Sequence, residues 1–230
     1  ATQFLYAHRT GLYLPFLANP PPDWCHPNCR WFPFPKRIPP EHDLYTTLRH
    51  AYHAASCQAT SLRNFRHDII CRYIARAAEL HGGYDADTTE SHLYSSTDSG
   101  NKIDILLTAW DRDPPVAVLD PTITCPFTPS YVHASANSAA NMFTTRNSTK
   151  DKHHLEGCID LGRLFRAIVM STLGGIGPPA SLDFITDFWT RDFHAERLSG
   201  GSGSHTIHTR TLFFQGLQAI LTNSTATLIT

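Results

Sequence analysis

The chain lacks an excess of either charge. Its 230 residues hold 19 Lys and Arg against 20 Asp and Glu, a formal net charge of -1 with 14 histidines counted neutral. A strongly basic balance is the usual electrostatic footprint of a nucleic-acid-binding domain, and it is missing here. Any contact with nucleic acid must therefore come from local patches or from neighbouring parts of a larger protein. No run of about 18 apolar residues occurs, so no membrane-spanning helix is expected. The N-terminal residues show no basic stretch leading into an apolar one, so no secretory signal is visible. There is no internal repeat. The six cysteines do not form an evenly spaced disulfide framework. Cys25 and Cys29 are close together, Cys57 follows His53, and Cys71, Cys125 and Cys158 stand singly in helix or strand contexts. In a reducing compartment this pattern suits one metal site plus three core thiols.

What is present is enough apolar residue, 41%, for one medium core with a small appendage. Nine prolines between Pro15 and Pro40 rule out a long helix or a central strand there. Residues 1–63 are read as an irregular arm and 64–230 as the folded domain. The start of the chain inside such an arm suggests a fragment of a larger polyprotein. Helical spacing of Ile69, Ile70, Tyr73, Ile74, Ala77, Ala78 and Leu80 predicts a helix over 64–80, stopped by Gly82 and Gly83. Strands are expected over 103–109 and 116–124, with a turn at 111–115, and a third strand over 164–170. Helices are expected over 134–155, 182–198 and 209–226, the last two separated by the Gly-Ser loop 200–204. This order gives an α/β domain with a mixed central sheet flanked by helices.

Two constellations carry chemistry. Cys25-x3-Cys29 and His53-x3-Cys57 supply two short-spaced pairs of the ligand types that zinc takes in tetrahedral sites. An arm with little core of its own would draw its order from such an ion. His26, His42 and His50 are rival ligands. The second constellation is acidic. Asp104 opens one apolar strand and Asp120 lies inside the next. A carboxylate within an apolar strand is costly unless it is paired, hydrogen-bonded or metal-bound. Together the two could converge on Mg²⁺ or Mn²⁺, with Glu90 as a third carboxylate. Lys150 or Lys152 could orient an attacking water and stabilise charge developing on phosphorus. The bland alternative makes both aspartates strand-end or turn residues, and Pro121 points to an edge strand or bulge.

These residues, in this order, resemble the PD-(D/E)XK nuclease domain, of restriction-endonuclease-like fold, found downstream of reverse transcriptase in site-specific non-LTR retrotransposons. Cys25, Cys29, His53 and Cys57 resemble its Cys-Cys-His-Cys zinc knuckle. Arg66-His67 resembles the pair opening its first helix. Glu90, Lys102-Ile-Asp104, Leu119-Asp120-Pro-Thr and Lys150-Asp-Lys152-His153 resemble its catalytic segments, and the stretch from Phe165 to Pro178 the strand and glycine turn that follow. Ile103 stands where the motif has proline. Thr122 stands where the family name places lysine, so Lys150 or Lys152 would have to serve. The resemblance implies a structural Zn²⁺, a catalytic Mg²⁺ or Mn²⁺ at Asp104 and Asp120, and DNA cleavage within a nuclear or intracellular retroelement polyprotein. Arg66 and His67 could contact the DNA backbone, where positive groups add salt-dependent affinity; the bland alternative is a helix-start cap and surface charge. The alternative is a module of the same fold that binds nucleic acid, or serves assembly, without cleaving.

Overall fold

The computed structural model describes residues 62–89, 91–92, 102–126, 131, 135, 138–172 and 174–227. The zinc-knuckle set Cys25, Cys29, His53 and Cys57, and the candidate carboxylate Glu90, lie outside these residues. The domain division at residue 63 likewise falls at their edge.

The first described element is helix α1 (Leu62–Gly82). Its periodic residues Ile70, Ile74 and Ala78 are completely buried. Gly83 follows at φ 66°, a left-handed turn that glycine takes without a Cβ penalty. Five short strands come next: β1 (Asp85–Asp87), β2 (Ser91–His92), β3 (Lys102–Ile103), β4 (Ile105–Thr108) and the longer β5 (Val116–Thr124). Helix α2 (Ala139–Asp160) is capped by Ser138, whose hydroxyl accepts from the Ala140 amide. Then follow β6 (Leu164–Ser171), β7 (Ile176–Gly177), α3 (Pro179–Thr186), a 3-10 turn (Asp187–Trp189), α4 (Thr190–Leu198) and α5 (Ser204–Thr227).

Strands β1-β4-β5-β6-β7 form one sheet in that order, and β2-β3 form a small second one. Among the described residues only β5 and β6 pair in parallel, and α2 lies in the crossover between them. The sheet is therefore mixed, with helices on both faces. On one face Ile105, Leu107, Ala117, Leu119, Ile168 and Met170 pack with α1, α5 and the 3-10 turn. On the other, Val118, Phe165, Ala167 and Val169 pack with Met142, Phe143 and Cys158 of α2. Alternation along β5 thus sends 117 and 119 to the α1 side and 118 to the α2 side. Asp120 and Thr122 follow Val118 onto the α2 face.

The structure departs from expectation in several places. β5 is not an edge strand, although it contains Pro121. Its pairing to β4 ends at Leu119, whereas its pairing to β6 continues through Thr124. At Pro121 no ladder on the β4 side requires an N–H, so the ring is tolerated. The strand expected over 103–109 is broken at Asp104 into β3 and β4, which belong to different sheets. Helix α2 starts at 139 rather than 134, where Ser138 supplies its cap. The helix expected over 182–198 is interrupted by the 3-10 turn that buries Phe188 and Trp189. No described helix is long and apolar enough to cross a membrane.

Candidate functional site

Four elements converge at the point where β5 parts from β4. The break between β3 and β4 carries Asp104. β5 carries Asp120, followed by Pro121. α1 carries His67 and Cys71 one turn apart. α2 carries Arg146, Lys150 and His154 at intervals of four, so that one helical face meets the sheet.

Asp120 is the buried centre of this arrangement, at 5% exposure. Lys150 Nζ lies 2.6 Å from its Oδ2, and His154 Nε2 lies 3.5 Å from the same oxygen. Its other oxygen, Oδ1, is buried and has no hydrogen-bond partner. Burial pushes the Asp120 carboxyl up to about 6; Lys150 pulls it down, and the neighbouring Asp104 charge pushes it up again. His154, with its Nδ1 buried and without a partner, is shifted the other way. Desolvation lowers its pKa, and the Lys150 charge lowers it further. Its ring lies against Phe165, with centroids 5.4 Å apart. The imidazole is neutral at pH 7, and Lys150 is the cation that faces Asp120.

Asp104 is the more open carboxylate, its side chain 23% exposed. His67 Nε2 lies 3.2 Å from Asp104 Oδ2 and 2.9 Å from the Pro121 carbonyl oxygen. The imidazole therefore takes the place of a strand partner where the β4 ladder has ended. Its hydrogen bond to Asp104, reinforced by Cys71, pushes the His67 pKa up to about 11. A surface cleft of about 280 Å³ opens over these groups, lined by His67, Asp68, Cys71, Arg72, Thr88 and Asp104.

The residues expected from the sequence are thus sorted. Asp104, Asp120 and Lys150 come together. Lys152, two positions on, is exposed and lies on a different face of α2. His67 belongs to the site, with its ring turned onto Asp104 rather than outward. Arg66 is buried, at 5% exposure. Sequence reasoning passed over Arg146 and Cys71. Arg146 Nη2 donates to Thr122 Oγ1 at 3.1 Å, so a guanidinium reaches the strand position where the resembled family has lysine. The spacing 146, 150, 154 was the available signal, as was 67, 71 on α1.

The donor set fits a hard divalent cation. Two carboxylates, one of them buried with an oxygen left unpartnered, are what Mg²⁺ or Mn²⁺ would satisfy. Set against known proteins, the chain matches no protein-family model and none of the curated proteins.

Proposed function

We propose that this domain is a metal-dependent DNA endonuclease of the PD-(D/E)XK type, hydrolysing a phosphodiester bond for a retroelement. The observation that supports this most is the convergence of Asp104, Asp120 and Lys150 from a strand break, a central strand and a crossover helix. A buried aspartate raised to about 6 costs stability at neutral pH unless something uses it.

Asp104 and Asp120 would hold the cation, which when bound polarises the scissile phosphate and makes water a stronger nucleophile. Asp120 does not provide this alone. Lys150 keeps it ionised in a dry setting and holds its Oδ2 on the α2 side, leaving Oδ1 directed elsewhere. The same ammonium is placed to neutralise charge that develops on the phosphate as the bond breaks. His154 stays neutral and walls the pair from water. His67 binds Asp104 from α1 and fixes its orientation. Substrate reaches the pair from the side of Asp104, where the cleft opens.

Nicking of supercoiled plasmid by the full chain in Mg²⁺ or Mn²⁺, compared with Asp120→Ala, tests this reading. Metal-dependent nicking that disappears in the variant supports it. Equal nicking by both removes Asp120 from the reaction and overturns the reading, whereas no nicking by a folded and metal-supplied chain replaces it with a module that binds nucleic acid without cleaving.

A further inference from the structure

His67, Cys71 and Asp104 each offer a ligand atom, and these atoms all lie within 4.8 Å of one another. We propose that they form a second cation site, one that takes a borderline-soft ion, zinc, and lies beside the Asp104–Asp120 pair, sharing Asp104 with it. The three come from two elements, α1 and the β3–β4 break. Zinc at this point would clip the helix to the strand that carries Asp104.

Ligand chemistry separates this site from a magnesium site. Imidazole and thiolate are the donors zinc prefers, whereas Mg²⁺ takes oxygen and gives up its waters reluctantly. The spacings agree. Zinc bonds of about 2.0–2.3 Å in a tetrahedron place neighbouring ligand atoms about 3.3–3.8 Å apart. His67 Nε2 lies 3.2 Å from Asp104 Oδ2, and Cys71 Sγ lies 3.7 and 3.8 Å from the two nitrogens of the His67 ring. Sγ is equidistant from those nitrogens, so closing around an ion takes a side-chain rotation at Cys71 or His67. The open cleft leaves room for it.

Asp68 completes the pattern. Its Oδ1 stands 3.7 Å from His67 Nδ1, the ring nitrogen that is not bonded to Asp104. A zinc-bound imidazole commonly gives its other N–H to a carboxylate, which fixes the tautomer. A small movement of this exposed side chain makes that bond. Three protein ligands leave the fourth position to water.

Zinc uptake requires no catalysis, so it is read without DNA. The metal-stripped full chain is equilibrated with Zn²⁺, desalted, and its bound zinc counted. The same is done with Cys71→Ala, His67→Gln and Asp104→Asn. Because Cys25, Cys29, His53 and Cys57 can hold zinc of their own, the comparison is by difference. Each variant is expected to bind one equivalent less than the parent, and millimolar Mg²⁺ is expected not to displace that equivalent. With Co²⁺ as probe, the thiolate-to-metal absorption falls by one thiolate in Cys71→Ala. Equal zinc in the parent and in folded Cys71→Ala overturns the proposal. If Cys71→Ala does not fold, as read by circular dichroism, His67→Gln decides on the same terms, since that ring is partly exposed.

Discussion

Lys150 Nζ stands 2.6 Å from Asp120 Oδ2, a pair whose side chains are 21% and 7% exposed, joining the middle of α2 to the middle of β5. The pair is asymmetric. The lysine can turn to solvent, whereas the aspartate cannot. Loss of the lysine leaves a buried carboxylate with no counter-charge, and loss of the aspartate leaves a lysine free to solvate.

The first prediction uses this asymmetry to separate two neighbouring lysines. Lys150→Ala is expected to lower metal-dependent nicking by about 100-fold or more, the scale of removing one charge-stabilising donor. Lys152→Ala, which removes an exposed side chain, is expected to leave it within about twofold. Initial nicking rates at saturating Mg²⁺ check both. Equal losses would remove Lys150 from its assigned role.

Asp120 also sets a pH dependence. Its folded pKa is raised from 3.8 to about 6, so the folded state favours the protonated form. The stabilisation from that proton is fully present below about 3.8 and is lost as pH rises through about 6. Asp120→Asn mimics the protonated form. In metal-free protein it is expected to match the parent near pH 4 and to unfold several degrees higher at pH 7.5. Thermal unfolding at the two pH values reads the difference, and an Asn variant less stable than the parent at pH 7.5 would contradict it. Adding Mg²⁺ or Mn²⁺ is expected to raise the melting point of the parent and not of the variant.

His67 runs the same linkage over a different range. Its pKa is raised from 6.5 to about 11, through Asp104 first and Cys71 second. The stability it brings to the metal-stripped protein is complete below about pH 6.5 and disappears as pH rises towards about 11. His67→Gln is therefore expected to be less stable than the parent at pH 6, with the gap narrowing by pH 10. Proton NMR of the parent ring should show no titration between pH 6 and 9. A midpoint near 6.5 would mean that the Asp104 bond does not hold in solution.

The start of α2 gives a prediction about stability alone. Ser138 Oγ accepts from the Ala140 amide at 3.2 Å. Ser138→Ala removes that cap and is expected to cost about 1 kcal/mol, or about 2–4 °C in melting temperature. Nicking at 25 °C should not change. A loss of nicking would show that the placement of Lys150 depends on the first turn of its helix.

Legibility in the sequence follows the range of the interactions involved. β5 could be read to its ends because its apolar run is bounded by turn residues, and α1 because its periodicity is long. What could not be read depended on partners distant along the chain. Pro121 signals an edge wherever a ladder needs its N–H, and only the early end of the β4 pairing at Leu119 shows that none is needed. The choice between Lys150 and Lys152 required the phase of α2, which is fixed by the packing of Met142, Phe143 and Cys158 on the sheet. Cys71 looked like a simple core thiol because its neighbour Asp104 is 33 positions away. The 3-10 turn at Asp187–Trp189 follows from the burial of Phe188 and Trp189, which no local pattern announces.

Pro121 also determines what the margin of β5 can offer a neighbour. In extended backbone a residue's nitrogen and carbonyl oxygen point to the same side, and the Pro121 oxygen points to His67. Any other residue there would add an N–H to that wall; proline adds none. At Pro121 the strand margin therefore offers a lone pair and no donor. Protonated rings and metal ions are welcome against it, while an incoming carbonyl or phosphate oxygen finds no donor from the strand and must be received by a cation already in place.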